Sequence, residues 1–279
     1  MNNYPSIVAL HYVSDDRSLD DLKPWVISKS SFLQLLDFIE NDGYHTLVFE
    51  DFQNSAITDK GIVLTFDDCP KSLWDFAIPE LVKRKMKAVF YMPTACLGGV
   101  NKWNSDAGLP KLDLMDEIDL KKLIEIGMEV GSHAHNHTML GELTIDESIK
   151  ELTTSKSILE KILDKPVISV AYPYGSIPKG YNKIAKKIGF QYGLAIFVKW
   201  QTVYSIRRWT YTDEDDLNTI KWKISAGYRW YRFFSDNWRF YSKAILSNSY
   251  KMYSKLKHSI NTYIALELDV LSFENLQYI

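Results

Sequence analysis

Short apolar, β-branched runs alternate along this chain with stretches of helical periodicity, regularly enough to set the fold class. Strands are expected over Ile7–Leu10, Ile62–Phe66, Ala88–Tyr91, Glu129–Gly131, Val167–Ala171, Tyr192–Ile196 and Val203–Ile206. Helices are expected over Ser31–Glu40, Leu73–Arg84, Ile118–Ile126, Ile145–Leu163, Lys179–Ile188 and Asp213–Ser225. Ser30 or Ser31 is placed to cap the first helix, Thr144 the fourth and Thr212 the sixth. Such alternation implies parallel strands with helices outside, in a barrel or a doubly wound sheet. Catalytic groups in these folds sit at the C-terminal ends of strands. Asp67, Asp68, His133, Tyr174 and Arg208 all fall at or just past an expected strand end, and His11 lies near one.

Composition narrows this picture modestly. At 279 residues, with 46% hydrophobic and 24% charged content, the chain has the make-up of a soluble globular protein with a large core. A net charge of −2 gives no general case for nucleic-acid binding. Two cysteines, Cys69 and Cys96, make no disulfide framework, so a reducing compartment is expected. No run approaches 18 uncharged apolar residues, and the start, Met1-Asn2-Asn3-Tyr4-Pro5, lacks a basic leader, so no membrane span or signal peptide is expected. The expectation is a cytoplasmic protein. From Lys221 to His258 nine Lys/Arg face one Asp, a charge of +8, among Trp222, Trp230, Trp238 and many Tyr and Phe. That shift divides the chain into a domain over 1–220 and a helical, basic, aromatic-rich extension over 221–279. The extension suits packing on the main domain, peripheral contact with an anionic membrane through 221–258, or a polyanionic glycan.

Two segments carry the chemistry: Thr65-Phe66-Asp67-Asp68 and Gly131-Ser132-His133-Ala134-His135-Asn136-His137. Three protein ligands with an open position make a hydrolytic metal centre, and a neighbouring carboxylate that does not ligate can activate water. On a helix His133 and His137 share a face; on a strand all three histidines do, so this pair converges in either geometry and His135 is the odd one out. Asp67 and Asp68, adjacent at a strand end, point in different directions, so one can ligate while the other faces the substrate. Each segment alone also reads as a solvated turn, or as an Asp capping the next helix.

Thr65-Phe66-Asp67-Asp68-Cys69-Pro70 resembles the Thr-Phe-Asp-Asp-Gly signature of the polysaccharide deacetylases, carbohydrate esterases with a NodB-homology domain. The histidine segment is similar to that family's His-x-x-x-His motif. Val170-Ala171-Tyr172-Pro173-Tyr174-Gly175 resembles its third motif as found in the exopolysaccharide (poly-N-acetylglucosamine) branch, and Ile206-Arg207-Arg208-Trp209 a later Leu-Pro-Arg-Ile element. The resemblance runs from about Ile7 to about Asp216. It implies a distorted (β/α) barrel, a divalent metal, usually zinc, on Asp68, His133 and His137, Asp67 as general base, and the backbone N–H of Tyr174 as an oxyanion donor. The implied reaction is removal of an N-acetyl group from an amino sugar in a polysaccharide, oligosaccharide or glycan precursor. No oligomeric state is implied.

The chain departs from that pattern in places. The family commonly supplies its general acid from a late Leu-x-His motif, whereas the one late histidine here, His258, is not in such a motif. The exopolysaccharide branch takes its His from the first strand in a Tyr-His pattern; Ala9-Leu10-His11-Tyr12-Val13 resembles this, which makes His11 the expected acid. Cys69 replaces a Gly. Ala171 stands where many members have an Arg that orients the base; Arg208 is the expected substitute, against Arg207 or neither. Trp103, in a polar loop, is placed either to stack on a sugar or to anchor the loop. The main alternatives are a silent barrel that binds a glycan or partner, and hydrolysis of an O-acetyl or another amide on the same centre.

Overall fold

The computed structural model of the protein describes residues 4–23, 25–54 and 60–238. Its strands are β1 (Ser6–Leu10), β2 (Tyr12–Val13), β3 (Val26–Ile27), β4 (His45–Thr46), β5 (Gly61–Asp67), β6 (Val89–Met92), β7 (Glu129–Ser132), β8 (Ser169–Ala171), β9 (Tyr192–Ala195), β10 (Ile206–Arg207) and β11 (Trp209–Thr210). The α-helices are α1 (Lys29–Asn41), α2 (Asp51–Asn54), α3 (Ala77–Lys83), α4 (Lys102–Ser105), α5 (Glu117–Glu125), α6 (Ile145–Leu163), α7 (Tyr181–Ile188) and α8 (Leu217–Ile224). Among the described residues, no helix is long and apolar enough to cross a membrane.

The main sheet runs β10-β9-β8-β7-β6-β5-β1-β11, with β4 alongside the start of β5. Its pairings are parallel throughout. Its two edges are consecutive in the chain: β10 pairs with β9, and after Arg208 alone β11 pairs with β1. One extended segment therefore passes from one edge to the other and nearly closes a barrel, the fold class expected from the alternation of elements.

Strand periodicity sorts the core into two layers. Val8, Leu10, Leu64, Phe66, Phe90 and Met92 pack outward with Phe32, Leu35, Ile78 and Leu81 from the surrounding helices. The alternate residues, Ile7, Val63, Val89, Tyr91, Ala171, Leu194 and Ile206, fill the barrel interior. Thr65, Asp67, Glu129, Gly131 and Arg208 share this inward parity. The polar residues at the upper strand ends thus open into one cavity.

Several local expectations are corrected. Ser28, not Ser30 or Ser31, caps α1, accepting from the Ser31 N–H at 3.1 Å. Thr144 caps α6 in a full capping box. Asp216 rather than Thr212 caps α8, because Thr212 is bound into a turn with Asp215. The helix expected over 73–84 divides into a 3-10 turn, Lys71–Asp75, and α3. Pro79 accounts for the break: its ring fits only a first helical turn, so the α-helix begins just ahead of it. The strand expected over 203–206 shrinks to β10, and β2, β3, β4 and β11 are too short to give a periodic signal.

One compact unit of the chain runs through residue 230, and a second begins at 231. The first includes α8, whose Ile220 is fully buried and whose Lys223 Nζ bonds the Thr210 carbonyl at 3.0 Å and Asp215 at 2.7 Å. In the second unit residues 231–238 are helical, and Arg232 Nε donates to Asp236 Oδ1 at 2.8 Å one turn on. The rest of the extension, including His258, lies outside the described residues.

Candidate metal centre

Asp67 ends β5 on the inward face, and ordinary strand geometry would turn Asp68 the other way. The backbone prevents this. Asp68 and Cys69 take φ of +68° and +52°, two consecutive left-handed residues, and the Cys69 N–H donates to the Asp67 carbonyl at 2.9 Å. The tight turn swings Asp68 back towards the cavity, at a cost of order 1 kcal/mol or more per left-handed non-glycine residue. A Gly, as in the motif that this segment resembles, would adopt the left-handed conformation of Cys69 without that cost. The Cys69 side chain is fully buried, and burial, reinforced by Asp68 and Asp67, pushes its thiol well above the usual range. Cys69 packs as a small apolar group and offers no thiolate.

The histidines follow β7. Ala134 and His137 are left-handed, at φ +60° and +54°. From α6, the Glu151 carboxylate accepts from the N–H of His135 (3.1 Å), the N–H of Asn136 (2.8 Å) and the Asn136 amide (2.5 Å), pinning the loop between them. His135 is turned out, its Nδ1 2.9 Å from Thr94 Oγ1. The His133 Nδ1 lies 2.7 Å from the Ala171 carbonyl, which can only accept, so Nδ1 carries the proton and Nε2 keeps its lone pair. His137 Nδ1 lies 3.1 Å from Tyr174 Oη, and Trp103 stacks on the His137 ring with centroids 3.9 Å apart at 27°.

These turns bring Asp68, His133 and His137 together, with one ligand atom from each inside 4.8 Å of the others. Asp68 Oδ1 is 3.2 Å from His137 Nε2 and 3.5 Å from His133 Nε2, yet it is buried and forms no hydrogen bond. Its other oxygen accepts from Tyr12 Oη at 3.3 Å. Possible ligand atoms of three buried groups therefore gather around a common point. Ligands at about 2.0 Å from a tetrahedral Zn²⁺ lie about 3.3 Å apart, so the donor set and spacing fit a divalent cation. Burial drives the His133 pKa down to about 4, with the neighbouring His137 adding to this against the pull of Asp67 and Asp68. The ring is thus neutral and able to ligate at physiological pH. Burial favours the neutral form of Asp68 too, but the adjacent His137 and the other histidines outweigh it, and its pKa falls.

Asp67 is held differently. Arg208, 1% exposed, donates Nη1 to Oδ1 and Nη2 to Oδ2, both at 2.7 Å. Nη1 also reaches Thr65 Oγ1 at 3.0 Å, and Thr65 donates onward to the Val8 carbonyl at 2.6 Å. Burial alone would raise the Asp67 pKa; the Arg208 charge, with His133, reverses this and holds the carboxyl well below its usual range. Asp67 Oδ2 is 3.9 Å from both His11 Nε2 and His133 Nε2. Arg207 points elsewhere, with Nη2 on the Val198 carbonyl at 2.8 Å. Tyr174 adopts φ +57°, in the short 3-10 turn Pro173–Gly175 that follows β8.

The residues expected from the motifs therefore meet at one site: Asp67, Asp68, His133, His137, Arg208, His11 and Tyr174. Tyr12, Thr65 and Glu151 were not singled out. A Tyr and a Thr inside buried strands are a usable signal, since such polar groups need partners. Glu151 carries none, because a helical Glu reads as a solvated position. Trp103 contacts a ligand ring, a contact that its loop position does not reveal.

A family model described as polysaccharide deacetylase matches residues 54–193. A putative polysaccharide deacetylase, YxkH of Bacillus subtilis, is 24% identical over 67% of this chain and 63% of its own length. The poly-beta-1,6-N-acetyl-D-glucosamine N-deacetylase of Staphylococcus aureus is 24% identical over 64% of each chain. The matched region thus spans somewhat less than two thirds of these curated relatives. Among solved structures, the Streptococcus pyogenes deacetylase PplD in complex with acetate superposes with a TM-score of 0.67 at 20% identity, covering 79% of this chain and 98% of that one.

Proposed function

Since the chain belongs to the polysaccharide deacetylase family, we propose that it is a metal-dependent hydrolase that removes an N-acetyl group from an amino sugar. One observation carries the reading: Asp68, His133 and His137 gather possible ligand atoms around one point beside a second carboxylate, Asp67, fixed in its ionised form by Arg208. The name of the staphylococcal relative supports N-acetylglucosamine in a polysaccharide or its precursor as the substrate.

Asp68, His133 and His137 would hold the ion, and we assign it as zinc because two imidazoles and one carboxylate with an open position are a common catalytic zinc set. When bound, the ion supplies Lewis-acid polarisation of the amide carbonyl and lowers the pKa of water. Asp67 takes the proton from the attacking water; ionised at neutral pH and, among the described residues, with its carboxylate hydrogen-bonded to Arg208 alone, it keeps further lone pairs for that proton. The Tyr174 N–H donates to the oxygen on which charge develops. His11, 3.9 Å from Asp67 on the open side of the site, protonates the departing amine. Acetate and the free amino sugar leave, and the proton taken by Asp67 balances the one given by His11.

The test is acetate release from N-acetylglucosamine oligomers and nucleotide-linked N-acetylglucosamine by metal-replete protein, beside D67N and D68A. Activity in the wild type, lost in both variants, with metal retained by D67N and lost by D68A, is the expected result. No acetate from any substrate, together with no metal after purification, overturns the reading.

A further inference from the structure

The two histidine ligands are held by different means. His133 follows directly on β7 and is fixed by a bond from Nδ1 to a main-chain carbonyl. His137 lies beyond the strand, at φ +54°, and among the described residues its Nδ1 is partnered by the hydroxyl of Tyr174, itself 52% exposed. A phenol hydroxyl moves with its own rotamer, so this bond alone sets the imidazole plane loosely. The ring is instead gripped between aromatic walls: Trp103 lies face to face at 3.9 Å and 27°, and Tyr174 meets it edge-on at 4.7 Å and 62°.

Trp103 sits on α4, in a segment with its own anchors. Asn101, fully buried, donates its amide to the Pro110 carbonyl at 3.0 Å and accepts from the Leu112 N–H at 2.7 Å. Isolated bridges tie Val100 to Asp113 and Pro70 to Leu114, and the Met115 N–H bonds the Cys69 carbonyl at 3.0 Å. The indole is therefore mounted on a loop clamped to the Asp67-Asp68 turn, and it presses on the ligand from the other motif.

We propose that Trp103 is a positioning residue for the metal ligand His137. A ligating nitrogen lone pair lies in the ring plane, so a face-to-face indole restrains rotation of the imidazole while leaving its Nε2 edge directed at Asp68 Oδ1. The indole face turned to the site is covered by that ring, so it is not a platform for a sugar. This role rests on the metal reading of the site. Partners that orient metal-bound histidines contribute 10- to 100-fold in metal affinity or activity.

The test uses the full chain stripped with a chelator, comparing wild type, W103F and W103L. Zn²⁺ affinity is read by competition with a chromophoric chelator, and ligand geometry by the absorption bands of the Co²⁺ form. W103L keeps apolar bulk without a ring, whereas W103F keeps a ring to stack. The expected result is about 10-fold or greater loss of Zn²⁺ affinity and altered Co²⁺ bands in W103L, largely restored in W103F, with similar thermal unfolding of the metal-free proteins. W103L binding as tightly as wild type, or W103F as weakly as W103L, overturns the positioning role while leaving the metal site standing. A wild type that takes up neither ion overturns both.

Discussion

Arg208 and Asp67, 141 residues apart in sequence, form a buried bidentate ion pair with both bonds at 2.7 Å. Asp67 closes β5 and Arg208 separates β10 from β11, so the pair spans the barrel interior between a central strand and the closing segment. One contact thereby joins barrel closure to the charge of the proposed base.

That link predicts a specific behaviour of R208M. In the wild type the depressed Asp67 pKa contributes stability that is present above the ordinary carboxylate value of 3.8 and lost as pH falls through the lower folded value. Without the guanidinium, burial dominates and the Asp67 pKa rises. R208M should then be about 3–5 kcal/mol less stable at pH 7, with the deficit shrinking as acid neutralises the stranded carboxylate. In whatever activity survives, the acid limb of the kcat/KM profile should move to higher pH. Denaturant titrations at pH 7 and pH 4.5 check this; an equal deficit at both would argue against the pair as the cause.

His11 tests the assignment of the acid. Its Nε2 is 3.9 Å from Asp67 Oδ2, and it is not one of the grouped ligands. H11A should lower kcat about 10²–10⁴-fold while metal content and affinity stay at wild-type levels. Turnover unchanged in H11A would reassign the acid without touching the metal site.

Below the site the barrel holds a further buried acid. Glu129, at the start of β7, accepts from Ser169 Oγ at 3.0 Å and from the Glu50 N–H at 3.0 Å, and Ser169 Oγ lies 3.1 Å from Tyr91 Oη. Burial raises its pKa to about 7, against hydrogen bonds that lower it. An acid with a raised folded pKa stabilises fully below its unfolded value, here 4.5, and that contribution is lost as pH climbs through about 7. A Gln can accept from Glu50 N–H and donate to Ser169 without the charge. E129Q should therefore gain on the wild type between pH 5 and pH 8 by an amount on the order of 3 kcal/mol at most. Urea unfolding at the two pH values measures it, and a constant difference would refute the titration.

Gly131 marks where the barrel has no spare room. A Cβ there would stand 2.2 Å from Tyr91 Cε1 and 2.9 Å from Ser169 Oγ. Tyr91 is fully buried and cannot swing away into solvent. G131A should cost about 1–3 kcal/mol or more by overpacking. Because the Tyr91 ring lies under the Arg208 guanidinium, 5.8 Å from centroid to Cζ, activity should fall as well. A thermal melt and acetate assay of wild-type quality would show that the interior yields more readily than its packing implies.

Much of the fold and site was legible in the linear chain. The alternation of buried runs with helical periods specified parallel strands and outer helices, because each period is a local consequence of backbone geometry. Asp67, Asp68, His133 and His137 stood out because their residue types at strand ends suit a hydrolytic metal centre.

What the tertiary structure decided is how these groups are aimed. Adjacent Asp67 and Asp68 both reach the cavity through two left-handed residues, Asp68 and Cys69, a turn that strand periodicity would not suggest. The choice of Arg208 over Arg207 depends on where β10 leaves β9 and β11 joins β1, a long-range register invisible in the motif itself. Tyr12 on Asp68 and Trp103 on His137 exist only once the barrel brings distant segments together. Sequence by itself determined the chemical identity and local periodicity of the site; orientation, burial and pairing, which set the protonation states, came from the nearly closed barrel.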